Sequence, residues 1–436
     1  MPKKEIKGFE NISGFLFRDG EPKGKEGKVL RTAFSKAIKR EKTLGNAFEI
    51  ALSDSGATMA KKRAKRYLTS ISGRMLATAQ MNRGRKLDER LSLAECWALG
   101  RSLKVYDPIG EEARVFFKPK SSGGKRPIFD FDVKHRTAQR LIRQLLERSF
   151  SPKIWQYTLI GIHAAIANVK AIQPSNAVWA ITLDIENFFG SFVDGELVKL
   201  LNFIPSDAVI NVALTGNTPL TDMDGSSLSE PSLSKARSGV PQGSAVSPLI
   251  GAFAVSKLSL KLPTGTWFAN YADDFLVIAS TEEQIEIAKH AFASAISELP
   301  GGKFLLKEKQ RASLDEGIVF LGHILRYEDG VLIAEPSPAA YTKLWDKTEE
   351  LRFAANIAKG QFIETHSTAD RTTTLTLIAE IYWLRLGWLN AFSECQEIVL
   401  KTVGDHIQQM IQELRVGTGI EFEELQEAKA GTKLEW

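Results

Sequence analysis

Two apolar runs, Thr266 to Tyr271 and Phe275 to Ala279, are separated only by Ala272, Asp273 and Asp274. Aromatic, β-branched and aliphatic residues joined by so short a link predict a buried antiparallel hairpin with a polar tip. Two adjacent carboxylates at that tip place hard oxygen ligands at one edge of a sheet, where a divalent cation can bind. An Asp-Asp turn taken alone is more often a solvated turn, so the case for metal chemistry depends on the rest of the chain. A second apolar run, Val178 to Leu183, ends in Asp184 and continues through Ile185, Glu186, Asn187, Phe188 and Phe189. If these strands are sheet neighbours, Asp184 meets Asp273, and three carboxylates can hold two Mg²⁺ ions about 3.5–4 Å apart for in-line phosphoryl transfer. The plainer alternative is that Asp184 merely caps the next segment of chain.

Charge is divided unevenly along the chain. Residues 1–150 carry 34 Lys and Arg against 17 Asp and Glu, and the remainder carries 23 against 35, so a net +5 conceals a front of +17 and a rear of −12. Such a front suits a polyanion, most simply nucleic acid. Within it, Lys61, Lys62, Arg63, Lys65 and Arg66 form one cluster and Arg83, Arg85 and Lys86 another, with Ala, Leu and Met between them at helical spacing. One cluster is an ordinary solvated helix face; several together favour phosphate contacts. Residues 1–100 are therefore read as a basic, mainly helical extension and a candidate RNA-binding segment.

Composition removes other classes. At 43% hydrophobic and 25% charged residues, the chain is globular rather than disordered. Cys96 and Cys395 cannot make a disulfide framework or a four-cysteine zinc site, and both are expected to be buried fillers. No apolar stretch is long enough to span a bilayer, so the expectation is a cytoplasmic protein without a membrane partner.

Residues 101–335 have an α+β texture. Strands are predicted at Ala113 to Lys118, Ala177 to Asp184, Thr266 to Tyr271, Phe275 to Ala279 and Ile318 to Leu325, and helices at Ala138 to Phe150 and Glu282 to Leu299. The Ser-, Asp- and Pro-rich passage from Pro205 to Gly239 reads as a long surface connection. Over residues 336–436 the strands stop. Tyr341, Leu344, Trp345 and Leu351, then Leu377, Ile378, Ile381, Tyr382, Trp388 and Leu389, then Ile398, Val403, Ile407, Met410, Ile411 and Leu414 mark three amphipathic helices of a bundle with a tail.

Two further segments suit phosphate chemistry. Lys118, Lys120, Lys125 and Arg126 surround the flexible Gly123-Gly124 turn, a cradle for a triphosphate. Gly239-Val240-Pro241-Gln242-Gly243-Ser244 is a tight turn whose amides can meet a nucleotide.

Taken in order, these segments resemble the reverse transcriptase family. Tyr271 to Asp274 is similar to its third palm motif and Asp184 to Phe189 to its first, with Val240 to Ser244, Ser247 and Pro248 between them. Lys118 to Arg126, continuing to Arg136, resembles the fingers motif, Leu305 to Lys309 the next palm motif, Phe320 to His323 the primer grip, and Leu384 to Asn390 a thumb signature of group II intron-type enzymes. The resemblance implies a right-hand polymerase fold: fingers and palm with an antiparallel sheet plus helices, and a helical thumb. It implies an RNA-directed DNA polymerase adding dNTPs to a 3′-hydroxyl, with Asp184, Asp273, Asp274 and the Ile185 carbonyl holding two Mg²⁺ ions, or Mn²⁺ in their place. Lys118, Lys120 and Arg126 would grip the dNTP, Gln242 would line its pocket, and Phe189 would exclude a 2′-hydroxyl. Phe320, Leu321 and Gly322 would hold the primer. Lys309 would give a proton to pyrophosphate, with Lys307 its near competitor.

With no visible ribonuclease H, protease, integrase or endonuclease region, the chain looks most like the stand-alone bacterial defence enzymes, retron-like and abortive-infection types. These copy, or are scaffolded by, a noncoding RNA and make cDNA. Template-independent or protein-primed synthesis, and a maturase-like RNA-binding protein, are the alternatives.

Overall fold

The computed structural model describes Phe17, residues 24–83, Arg85 and residues 89–119, 123–172, 179–214 and 216–428. Its strands are β1 Ala113–Pro119, β2 Lys125–Phe131, β3 Trp179–Ile185, β4 Leu220–Thr221, β5 Trp267–Tyr271, β6 Asp274–Ala279, β7 Leu306–Ser313, β8 Ile318–Phe320, β9 His323–Glu328 and β10 Val331–Pro336. They build three sheets, ordered β2-β1-β4, β5-β6-β3-β7 and β10-β9-β8. Contacts divide the chain into two units, one of residues 1–153, 186–259 and 295–305, the other of residues 154–185, 260–294 and 306–436. No described helix is long and apolar enough to cross a membrane.

In the first unit, the helix Gly56–Leu68 buries Ala60, Ala64, Tyr67 and Leu68 and leaves Lys61, Lys62, Lys65 and Arg66 exposed. Its buried edge is tied to its neighbours by polar groups. The Tyr67 hydroxyl donates to Glu41 at 2.7 Å, and Arg148 of the helix Val133–Ser149 reaches Glu41 at 3.0 Å and Glu49 at 2.9 Å. Glu41 is buried, and removing one partner of a buried ion pair costs about 3–5 kcal/mol. The basic helices are thus anchored to the helix that follows β2.

β1 and β2 form an antiparallel hairpin with Lys118 opposite Arg126, and β4 joins β1 in parallel. β4 belongs to the passage expected to be a surface connection, and that expectation is corrected here. Val209, Val212, Ala213, Leu214, Leu220 and Ala236 are all buried. The five-residue stretch from Val209 to Ala213, apolar except for Asn211, forms a π-helical turn that packs inward, and the Ser- and Asp-rich residues around it dilute its signal.

The second unit contains the four-stranded sheet. β3 lies between β6 and β7, antiparallel to both, and β5 pairs with β6. Residues along β6 alternate between two layers. Leu276 and Ile278 pack in one cluster with Ala165, Ile166 and Val169 of the helix Ile162–Lys170. Phe275 meets Phe292 of the helix Glu282–Ser297 at 5.3 Å. The run Ile318 to Leu325, expected as one strand, is two, because Leu321 (φ 51°) and Gly322 (φ 78°) both turn left-handed and fold β9 back on β8.

The three expected bundle helices are Pro338–Thr365, Thr368–Ala391 and Glu397–Arg415. Ser337 caps the first, with Pro338 behind it, and Ser367 caps the second. Leu344, Leu351, Ile378, Ile381, Trp388, Ile407 and Ile411 form their core, while Ile398, placed in the apolar stripe, is 66% exposed. Cys96 and Cys395 are buried, as expected.

Candidate active site

Asp184 and Asp274 are register partners across β3 and β6. Asp274 is in phase with Leu276 and Ile278, and Asp184 with Ala180 and Thr182, so both carboxylates fall on the same face at one end of the sheet. Two carboxylates at this distance repel unless a cation lies near. Lys309 supplies one, with its Nζ 3.1 Å from Asp184 Oδ1 and 2.5 Å from Asp274 Oδ1. Burial works against the Lys309 charge, but Asp274 and then Asp184 outweigh it and hold the ammonium above its ordinary pKa. Burial raises the Asp274 pKa, and Lys309 acts against that rise. Of the two lysines weighed from sequence, Lys309 is the one that reaches the carboxylates; Lys307 is exposed opposite Asp184.

Asp273 sits in the β5–β6 turn. The pair Tyr271 and Asp274 leaves a two-residue loop in which Ala272 has φ 55°, a backbone region that costs a non-glycine residue about 1 kcal/mol. Side chains hold it there. Thr158 Oγ1 accepts from the Ala272 N–H at 2.7 Å, and the fully buried Asn270 amide donates to the carbonyls of Ala272 at 2.9 Å and Asp274 at 3.2 Å. The Ile185 N–H donates to the Asp273 carbonyl at 3.1 Å, which ties the turn to β3. Burial, then the charges of Asp274 and Asp184, push the Asp273 carboxyl up to about 7. Among the described residues no three His, Cys, Asp or Glu side chains are gathered closely enough to hold a metal ion. The structure draws Asp184 and Asp274 onto one cation and leaves Asp273 beside them. Hard oxygens around a stand-in ammonium fit a divalent cation.

Residues 118–325 match the family model described as reverse transcriptase (RNA-dependent DNA polymerase). The chain carries a reverse transcriptase domain. Members of the family so described are RNA-directed DNA polymerases, a class of nucleotidyltransferase, and the mixed helices and antiparallel sheets of this chain are those of a right-hand polymerase fold. No curated protein matches the chain. Among solved structures, telomerase from Candida tropicalis in complex with a TWJ fragment of telomeric RNA is 11% identical, with a TM-score of 0.36, over 73% of this chain and 63% of that one. Apo telomerase from Candida tropicalis, truncated from its C-terminal domain, is 14% identical, with a TM-score of 0.35, over 52% and 56%. The chain thus spans less than two thirds of either telomerase chain.

The described candidate dNTP-binding residues lie in the first unit, and there the structure brings several together. Arg126 and Lys118 face each other across β1 and β2, and Arg126 Nε is buried without a hydrogen-bond partner among the described residues. Gln242 bridges to Ile128, two residues further along β2, and its carbonyl accepts from the Phe129 N–H at 2.8 Å. At the other end of the same turn, the Val240 N–H donates to the Phe189 carbonyl at 2.8 Å. A Cβ at Gly239 would collide with the Phe189 carbonyl oxygen, and one at Gly243 with that of Phe129, so only glycine permits both approaches. Half-buried Phe189 packs on Phe188 at 5.3 Å. Lys120 lies outside the described residues.

Phe320, Leu321 and Gly322 form the β8–β9 turn of the second unit, and Leu321 is half-buried against the cluster that holds Leu276 and Ile278. Lys61, Lys62, Arg63 and Arg66 have no carboxylate partner among the described residues, and Lys65 lies over the Tyr106 ring at 5.9 Å. Arg85 departs from the expectation of a free phosphate contact: its guanidinium donates to the Glu89 carbonyl at 2.7 Å and lies 3.6 Å from Asp132. Nothing is described of the Arg83 side chain, and Lys86 lies outside the described residues. Asn270 and Thr158, which shape the turn, carried no sequence signal beyond a polar residue inside an apolar run.

Proposed function

We propose that the chain is an RNA-directed DNA polymerase that joins dNTPs to a 3′-hydroxyl with two Mg²⁺ ions, Mn²⁺ serving in their place. The observation that carries this reading is the pairing of Asp184 with Asp274 around one cationic group. Asp184, Asp273, Asp274 and the Ile185 carbonyl would hold the ions. Magnesium bound there supplies the charge that lowers the pKa of the attacking hydroxyl and stabilises departing pyrophosphate.

In the reaction the 3′ oxygen forms its bond to the α-phosphorus, the bond from that phosphorus to the bridging oxygen breaks, and the hydroxyl proton passes to solvent. Lys309 can donate a proton to the pyrophosphate. Lys118, Lys120 and Arg126 grip the triphosphate, Gln242 lines its pocket, and Phe189 excludes the 2′-hydroxyl. Phe320, Leu321 and Gly322 hold the primer end. Lys61, Lys62, Arg63, Lys65 and Arg66 bind the template RNA. By the same resemblance the template is a noncoding RNA, the product a cDNA, and the setting antiphage defence in a bacterial cytoplasm.

The test is primer extension on an RNA template with purified protein. Incorporation should require template and dNTPs; synthesis that continues without template favours the template-independent or protein-primed alternative. Sequencing the RNA and DNA that copurify names the template. Phe189→Ala should admit ribonucleotides with at least about tenfold less discrimination, the scale on which one close packing contact is felt, and unchanged sugar selection removes Phe189 from that role.

A further inference from the structure

Lys309 owes its position to an irregularity in the sheet. Between the pairs Leu183 with Glu308 and Thr182 with Gln310, β7 carries one residue more than β3, and that residue is Lys309. Its neighbours are fixed on both sides. The Glu308 carboxylate accepts from Lys289 at 2.5 Å and from Arg311 at 3.1 Å, and Gln310 Oε1 accepts from the Val319 N–H at 2.9 Å. A bulge held in this way re-aims one side chain. Here it delivers a single ammonium to both Asp184 and Asp274.

The arrangement suits a group that arrives and leaves. Lys309 is 44% exposed and carries its charge on a flexible four-carbon stem, so it can withdraw while its backbone stays anchored. Asp184 and Asp274 need positive charge between them in either case. A divalent cation offers more of it and takes hard oxygen ligands directly. We propose that Lys309 is an exchangeable counter-ion: it keeps Asp184 and Asp274 together until a divalent cation displaces it from the same oxygens, which frees its ammonium for departing pyrophosphate. The inference rests on the reading that these carboxylates bind the divalent cation.

The test titrates Mn²⁺ into the full chain without nucleotide, with free ion counted by electron paramagnetic resonance, for wild type, Lys309→Met and Lys309→Arg. Competition predicts that Lys309→Met binds Mn²⁺ about tenfold more tightly, the equivalent of one lost charge-assisted pair, while Lys309→Arg stays near wild type. Equal or weaker binding by Lys309→Met overturns the exchange. A second measurement needs only wild type and the charge-retaining variant. With lysines ¹³C-labelled at Cε, the resonance absent from Lys309→Arg should move when Mg²⁺ is added, and a stationary resonance overturns the proposal. Failure of all three chains to bind Mn²⁺ instead overturns the metal reading, and the exchange with it.

Discussion

Two hairpins of the second unit, β5–β6 and β8–β9, have nearly the same turn and very different support. In β5–β6 the left-handed non-glycine residue is Ala272; in β8–β9 it is Leu321 followed by Gly322. The first is braced by neutral side-chain amide and hydroxyl groups, Asn270 and Thr158. The second is braced by a buried imidazole. His323 Nδ1 lies 3.0 Å from the Leu321 carbonyl, which assigns it the proton, and the ring packs against that of Phe392, tilted, at 4.4 Å. Both turns hold backbone in an unfavourable region, but only the turn that carries carboxylates is held by groups whose charge does not change with pH. A titrating brace beside Asp273 and Asp274 would couple their geometry to its own protonation.

The largest test of this contrast is catalytic. Asp273→Ala or Asp274→Ala should lower dNTP incorporation by at least about 100-fold, the cost of removing one preorganised charge-stabilising group, with little change in melting temperature; wild-type-like synthesis breaks the assignment. Acid should act on the other hairpin. Burial, opposed in part by the hydrogen bond to Leu321, lowers the His323 pKa to about 4. The unfolded chain therefore takes up a proton first as pH falls below about 6.5, and stability is lost progressively down to about pH 4, by about 3 kcal/mol from this group. His135, also lowered to about 4 by burial, adds a similar loss in the first unit. In acid-denaturation profiles, His323→Gln should flatten that slope in part, and an unchanged slope removes His323 as its source. Asn270→Ala, which leaves the carbonyls of Ala272 and Asp274 without their donor, should cost about 1–3 kcal/mol and slow incorporation without altering the acid slope. The smallest effect is Ala272→Gly, which should raise stability by up to about 1 kcal/mol in a thermal melt by relieving the left-handed strain.

The acidic hairpin was legible because its pattern is short-range: two apolar runs and a polar tip leave few alternatives. Asp184 was legible as a carboxylate at the end of a strand, and β3 and β6 place it opposite Asp274. What the sequence could not disclose depends on contacts distant in the chain. Glu308, Lys309 and Gln310 lie in a polar stretch that the apolar pattern does not mark as a strand, and the bulge that singles out Lys309 exists only against β3. Asn270 resembles an interruption of β5 until Ala272 and Asp274 supply its acceptors. Val209 to Ala213 was hidden among Ser and Asp, although it reaches the core. Arg85 looked like one of several free cations until Asp132 met it.

The turn from Gly239 to Gly243 has a consequence for how such an enzyme can change over generations. Its two ends admit no side chain at all, while Gln242 between them is held by its carbonyl and leaves its amide unconstrained by that bond. Substitution there can therefore be explored with the surrounding backbone unaltered. On the proposed role of Gln242 in the dNTP pocket, nucleotide preference can drift at this one position while Gly239 and Gly243 admit no replacement.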